Sequence, residues 1–106
     1  MLVGVSVVSV APATAVTVSP AINCIQHPRT NANQPSRFTG NGVNIRTGPS
    51  TSCTSIGQGF LNQSVTVHCI KGTLPNAWVY LKDNVSGVTG WSYAPNVSLI
   101  GGAEQC

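Results

Sequence analysis

The chain has 106 residues, only 7% of them charged, with a net charge of +3 from five Lys or Arg against Asp83 and Glu104. Its hydrophobic fraction of 42% excludes a disordered tail, and its length allows one small domain. The mild charge supplies no basic cluster of the kind that nucleic-acid binders carry, and with charge this scarce Ser, Thr, Asn and Gly must wet the surface.

Residues 1–15 read as an export signal. Met1 to Val10 is almost wholly apolar, and Ala13-Thr14-Ala15 has the small-x-small form that signal peptidase accepts, with cleavage expected after Ala15. No Lys or Arg precedes the apolar core, which a start a few codons upstream would explain. The run is too short for a stable membrane span, which needs about 20 apolar residues. Residues 16–41 read as an irregular N-terminal extension. Ile25 to Phe38 contains two prolines and no helical or strand period, so it is expected to be loop, with Arg29 and Arg37 solvated on it.

From residue 42 the pattern changes to short alternating segments cut by turn residues. Val43-Asn44-Ile45-Arg46 predicts a strand with Val43 and Ile45 inward, and Thr47-Gly48-Pro49-Ser50 turns the chain. Ser64 to Ile70 predicts a second strand, with Val65, Val67 and Cys69 on one face and Ser64, Thr66 and His68 on the other. Leu74-Pro75-Asn76 is a turn. Trp78 to Lys82 predicts a third strand, with Val79 and Leu81 as the core pair and Trp78, Tyr80 and Lys82 opposite. Asp83 to Gly87 is a hairpin signal, Gly90 to Tyr93 a fourth strand, and Asn96 to Ile100 a short closing strand. Five short strands with dense turns and no helical period predict an all-β barrel or sandwich over residues 42–100. Residues 101–106 form a tail that ends in Cys106.

In an exported chain, Cys24, Cys53, Cys69 and Cys106 read as two disulfides. Of three possible pairings, Cys53–Cys69 is expected because it joins neighbouring elements, closing a loop that stabilises by roughly 3 kcal/mol. Cys24–Cys106 then ties the extension to the tail. The rival is a metal site built from Cys24-x-x-His27 and His68-Cys69. Adjacent strand residues point to opposite faces, however, so His68 and Cys69 do not converge on one ion. No metal and no cofactor is expected.

The order of motifs resembles the bacterial SH3-like domain in its secreted, single-domain, disulfide-containing form. Asn44-Ile45-Arg46-Thr47-Gly48-Pro49-Ser50 matches the family's opening segment, and Ile56-Gly57 with Val65-Thr66-Val67 matches its central step. Trp78-Val79-Tyr80 and Gly90-Trp91 complete the series, while Asn96-Val97 departs from the usual Tyr-Leu close. The resemblance implies a small five-stranded SH3-like barrel. It also implies a secreted or wall-associated binding module for cell-wall peptidoglycan, through its peptide or its glycan.

The residues themselves point the same way. Asp83 and Glu104 are the only carboxylate side chains and do not pair across a cleft in the pattern, and no Gly-x-Ser-x-Gly elbow accompanies His68. With the cysteines oxidised no thiolate nucleophile remains, so an enzyme is not expected. The expected binding residues are Asn44, Arg46, Trp78, Tyr80, Trp91 and Tyr93. Trp78 and Tyr80 share one strand face, Trp91 and Tyr93 another, and neighbouring strands would join the four aromatics into a groove beside Asn44 and Arg46. Trp91 suits equally the filling of one barrel end. The alternative function is a secreted protein-interaction or structural domain with a protein ligand.

Overall fold

A computed structural model of the chain describes residues 23–29, 32–99 and 102–106. The expected signal segment lies outside the described residues. Seven strands are present among those described: β1 (Gln34–Phe38), β2 (Val43–Arg46), β3 (Ser55–Gly59), β4 (Ser64–Lys71), β5 (Trp78–Asp83), β6 (Thr89–Tyr93) and β7 (Val97–Ser98). A 3₁₀ turn, Ala94–Asn96, links β6 to β7. No helix among the described residues is long and apolar enough to cross a membrane.

The strands form one antiparallel sheet in the order β3-β2-β6-β5-β4-β1-β7. Alternation decides which side chains turn inward. Val43 and Ile45 of β2, Val65 and Val67 of β4, and Val79 and Leu81 of β5 are all buried in one core with Phe38 and Val97. Each such side chain contributes roughly 1.5–3 kcal/mol through its removal from water. The sheet rolls up around this core. Gly59 of β3 lies against the Phe38 ring so closely that a Cβ there would collide with it. Thr39 N–H meanwhile donates to Asn96 O at 3.0 Å.

The all-β barrel-like class is therefore present, with seven strands where the sequence pattern predicts five. The two additional strands have weak local signals. β1 falls in the stretch expected to be loop. It carries Pro35, leaves Gln34, Pro35 and Arg37 exposed, and sends only Phe38 fully inward. Its strand form comes from pairing with β4 and β7 rather than from its own alternation. In β3 the inward positions are glycines. A Cβ at Gly57 would come within 3.2 Å of the Val88 side chain, so the space that a branched residue would fill is already occupied.

Two disulfides form, as the cysteine count predicts, but neither expected pair is among them: Cys24 bonds Cys53 and Cys69 bonds Cys106, with Cα–Cα distances of 5.3 and 4.9 Å. The expected Cys53–Cys69 and Cys24–Cys106 pairs are thereby corrected, and the reason is a β-bulge. In the β4–β5 ladder Val67 faces Leu81 and Cys69 faces Tyr80, which leaves His68 as an extra residue. The bulge reverses the phase of β4. Ile70 then enters the core with Val65 and Val67, while Cys69 moves to the opposite face beside Tyr80 and Trp91. There the tail reaches it. Ile70 N–H donates to Glu104 O at 2.7 Å, and Cys106 N–H donates to Ile70 O at 2.8 Å. In the chain-entropy picture, loops of these lengths stabilise by about 3–4 kcal/mol each.

Candidate functional site

On the face of the sheet opposite the core, β5 and β6 bring four aromatic residues into two cross-strand pairs. Trp78 lies opposite Tyr93 and Tyr80 opposite Trp91. Ring centroids are 5.4 Å apart in the first pair and 5.1 Å in the second, with the planes tilted by 51° and 46°. Tilted contacts at these separations are favourable beyond the area they bury. The two pairs meet different surroundings.

Trp78 and Tyr93 are half-buried and line a cleft of about 510 Å³. Asn44 and Arg46 reach the same cleft from β2, where alternation turns them away from Val43 and Ile45. The turn after β2 supplies Pro49, Ser50 and Thr51, and the 3₁₀ turn supplies Asn96. Several of these groups are held in place. Arg46 Nη1 donates to Cys53 O at 2.9 Å, Asn44 Oδ1 accepts from Ser55 Oγ at 2.9 Å, and Tyr93 OH donates to Asn76 Oδ1 at 2.8 Å. Ser92 Oγ fixes the neighbouring backbone by donating to Asn44 O at 2.8 Å. Arg46 is the one lining residue that carries a charge. Its remaining N–H groups suit a carboxylate or carbonyl acceptor, and the aromatic pair offers a flat apolar wall.

Tyr80 and Trp91 are placed differently. Trp91 is 1% exposed and Tyr80 8%, and neither lines the cleft. The N-terminal segment 23–27 lies over them. Trp91 Nε1 donates to Gln26 O at 3.1 Å, and the Tyr80 hydroxyl lies 3.5 Å from His27 Nδ1. Burial pushes the Tyr80 phenol above its ordinary value of 10.0. Of the six residues singled out in the sequence, the structure thus brings Asn44, Arg46, Trp78 and Tyr93 together. It buries the other two beneath the chain's own N-terminal segment. Pro49, Ser50, Thr51 and Asn96 were not foreseen, although the Gly-Pro-Ser turn that carries the first two was visible as a motif.

The residues weighed for catalysis are dispersed. Asp83 is buried at the β5–β6 turn, where its Oδ1 accepts the Val85 N–H at 2.9 Å, while Glu104 is exposed on the tail beside β4. His68 packs its ring 5.6 Å from Tyr80. None of the three lines the cleft. Among the described residues no group of three or more His, Cys, Asp or Glu could hold a metal ion.

No curated protein and no solved structure gives a significant match to the chain. The family model of the bacterial SH3 domain matches residues 41–98, more than half of the chain and the whole span from β2 to β7. The motif order, the rolled antiparallel sheet and this match agree, and the chain belongs to the bacterial SH3 domain family.

Proposed function

We propose that the protein is a secreted, non-catalytic binding module that recognises cell-wall peptidoglycan, or a related envelope polymer, in the Trp78–Tyr93 cleft. The observation that carries this reading is the convergence of an accessible aromatic pair with Asn44 and the guanidinium of Arg46 in one cleft of about 510 Å³. An aromatic wall gives contact area at low entropic cost, and the amide and guanidinium orient a peptide or sugar by directional hydrogen bonds. Membership in a family of binding domains, commonly related to the cell wall, supports the ligand class. Two disulfides support an oxidising, extracellular setting.

The test is co-sedimentation of the oxidised protein with purified peptidoglycan sacculi across a salt series. Saturable binding that survives physiological salt is expected, and Trp78→Ala should weaken it roughly thirtyfold. Binding that vanishes by physiological salt would assign the effect to the net charge of +3 alone. No binding at all would overturn the wall reading in favour of a protein ligand.

A further inference from the structure

We infer that the Cys24–Cys53 disulfide is the positioning device of the cleft, whereas Cys69–Cys106 serves stability alone. The inference rests on the binding reading above and adds which covalent bond sets the shape of the site. The wall formed by Pro49, Ser50 and Thr51 belongs to a turn with few anchors of its own. Thr51 and Ser52 are exposed, and Pro49 and Ser50 are half-buried. Ser50 N–H donates to Gly48 O at 2.9 Å, and Cys53 N–H donates to Ser50 O at 3.1 Å. Thr47 N–H closes the base of the turn by donating to Thr54 O at 2.9 Å; these bonds shape the turn without joining its tip to another part of the barrel.

The fastening is made at Cys53. This residue is 2% exposed, its carbonyl receives the Arg46 guanidinium, and its sulfur is bonded to Cys24. Cys24 in turn belongs to a segment that is itself tied down. Gln26 O accepts the Trp91 indole N–H, Gln26 N–H donates to Thr47 O at 3.4 Å, and Lys71 Nζ donates to Gln26 Oε1 at 3.2 Å. The two segments touch backbone to backbone: a Cβ at Gly48 would lie 2.5 Å from the Cys24 Cα. Thus the disulfide clamps the turn side of the cleft to an element seated on Trp91. The aromatic side needs no such clamp, because Trp78 and Tyr93 are fixed by the β5–β6 ladder. With Cys24–Cys53 open, the turn and the carbonyl that orients Arg46 lose their position while the aromatic pair keeps its own. The other disulfide clips the tail to Ile70, and neither its cysteines nor Ile70 line the cleft.

The experiment compares Cys24→Ala/Cys53→Ala with Cys69→Ala/Cys106→Ala in the full chain, at a temperature where circular dichroism shows each folded. Sacculus affinity should fall at least about tenfold in the first variant, the scale of one lost hydrogen bond to a charged group. In the second it should stay within about twofold. Amide exchange should accelerate at Thr47 and Cys53 in the first variant, and at Ile70 and Cys106 in the second. Equal weakening of binding in both, or none in the first, would overturn the inference. If the first variant does not fold, Gly48→Ala takes its place: it keeps both disulfides and forces the turn away from Cys24, so unweakened binding there would count against the proposal. Should the unaltered protein fail to bind sacculi, the ligand reading falls and amide exchange decides this inference by itself. Selective acceleration over residues 47–54 would then support it, and unchanged exchange would overturn it.

Discussion

Trp78 and Tyr80 occupy the same face of β5, as Trp91 and Tyr93 do of β6, yet one cross-strand pair lines a cleft and the other is buried. Within the sheet the two pairs are nearly equivalent, with similar ring separations and tilts. The difference is imposed from outside. Residues 23–27 bond the Tyr80–Trp91 pair and do not line the cleft at Trp78 and Tyr93, so the same aromatic face becomes core at one end and accessible wall at the other. Chemical identity alone therefore does not assign a role to an aromatic residue on a small barrel; the cover does.

The largest expected effect separates the two tryptophans. Trp91→Ala removes a buried indole, leaves a cavity against Tyr80 and strips Gln26 O of its donor, so it should cost about 3–5 kcal/mol. Urea unfolding followed by circular dichroism measures this. Trp78→Ala removes a half-buried ring at the cleft, and its stability cost should be less than about half as large. A comparable loss of stability in both variants would break the distinction. Binding should reverse the order of importance: Trp78→Ala is expected to lower sacculus affinity by about 2 kcal/mol, roughly thirtyfold. A Trp78→Ala protein that binds normally would remove the cleft from consideration.

A smaller effect is expected at Arg46. Arg46→Gln keeps a polar side chain but loses the charge and the fork of donors, so sacculus affinity should fall by about 1.5 kcal/mol, roughly tenfold. Unfolding midpoints should change little, because the residue is only partly buried. If stability falls while affinity does not, the guanidinium serves Cys53 O and the turn rather than a ligand.

Period-two alternation located β2, β4, β5 and β6 and the whole set of Val43, Ile45, Val65, Val67, Val79 and Leu81 as core, because burial on one sheet face leaves that imprint directly. Four features escaped it for separate physical reasons. β1 is a strand by partnership, with Phe38 as its one buried anchor, and β3 offers glycine where alternation would offer a branched side chain. The bulge at His68 shifts the phase of β4 after Val67, so Cys69 lies on the face opposite the one that alternation predicts and bonds Cys106 there. The division of the aromatics was hidden because their cover comes from far along the chain: Gln26 and Trp91 are 65 residues apart. The opening Asn44-to-Ser50 motif, by contrast, marked four of the residues that line the cleft, since strand, turn and site coincide there.

The subtlest expectation concerns Tyr80 and the pH dependence of folding. Burial holds its phenol protonated above the ordinary value of 10.0, so below about pH 10 it carries the same proton in the folded and unfolded chain. It then contributes no slope. Above that point the unfolded chain releases the proton while the folded chain retains it, so the unfolded state binds fewer protons and stability falls as pH rises. The fall continues until the folded-state phenol itself ionises. Tyr80→Phe deletes this titration and keeps the ring between His68 and Trp91. Urea midpoints measured between about pH 8 and about pH 11.5 should therefore decline less steeply in Tyr80→Phe than in the unaltered protein. The two proteins share every other side chain, so the difference between the two curves isolates the phenol. Parallel curves would mean that water reaches Tyr80 as freely as it reaches the open pair, and that residues 23–27 do not seal the buried end of the aromatic face.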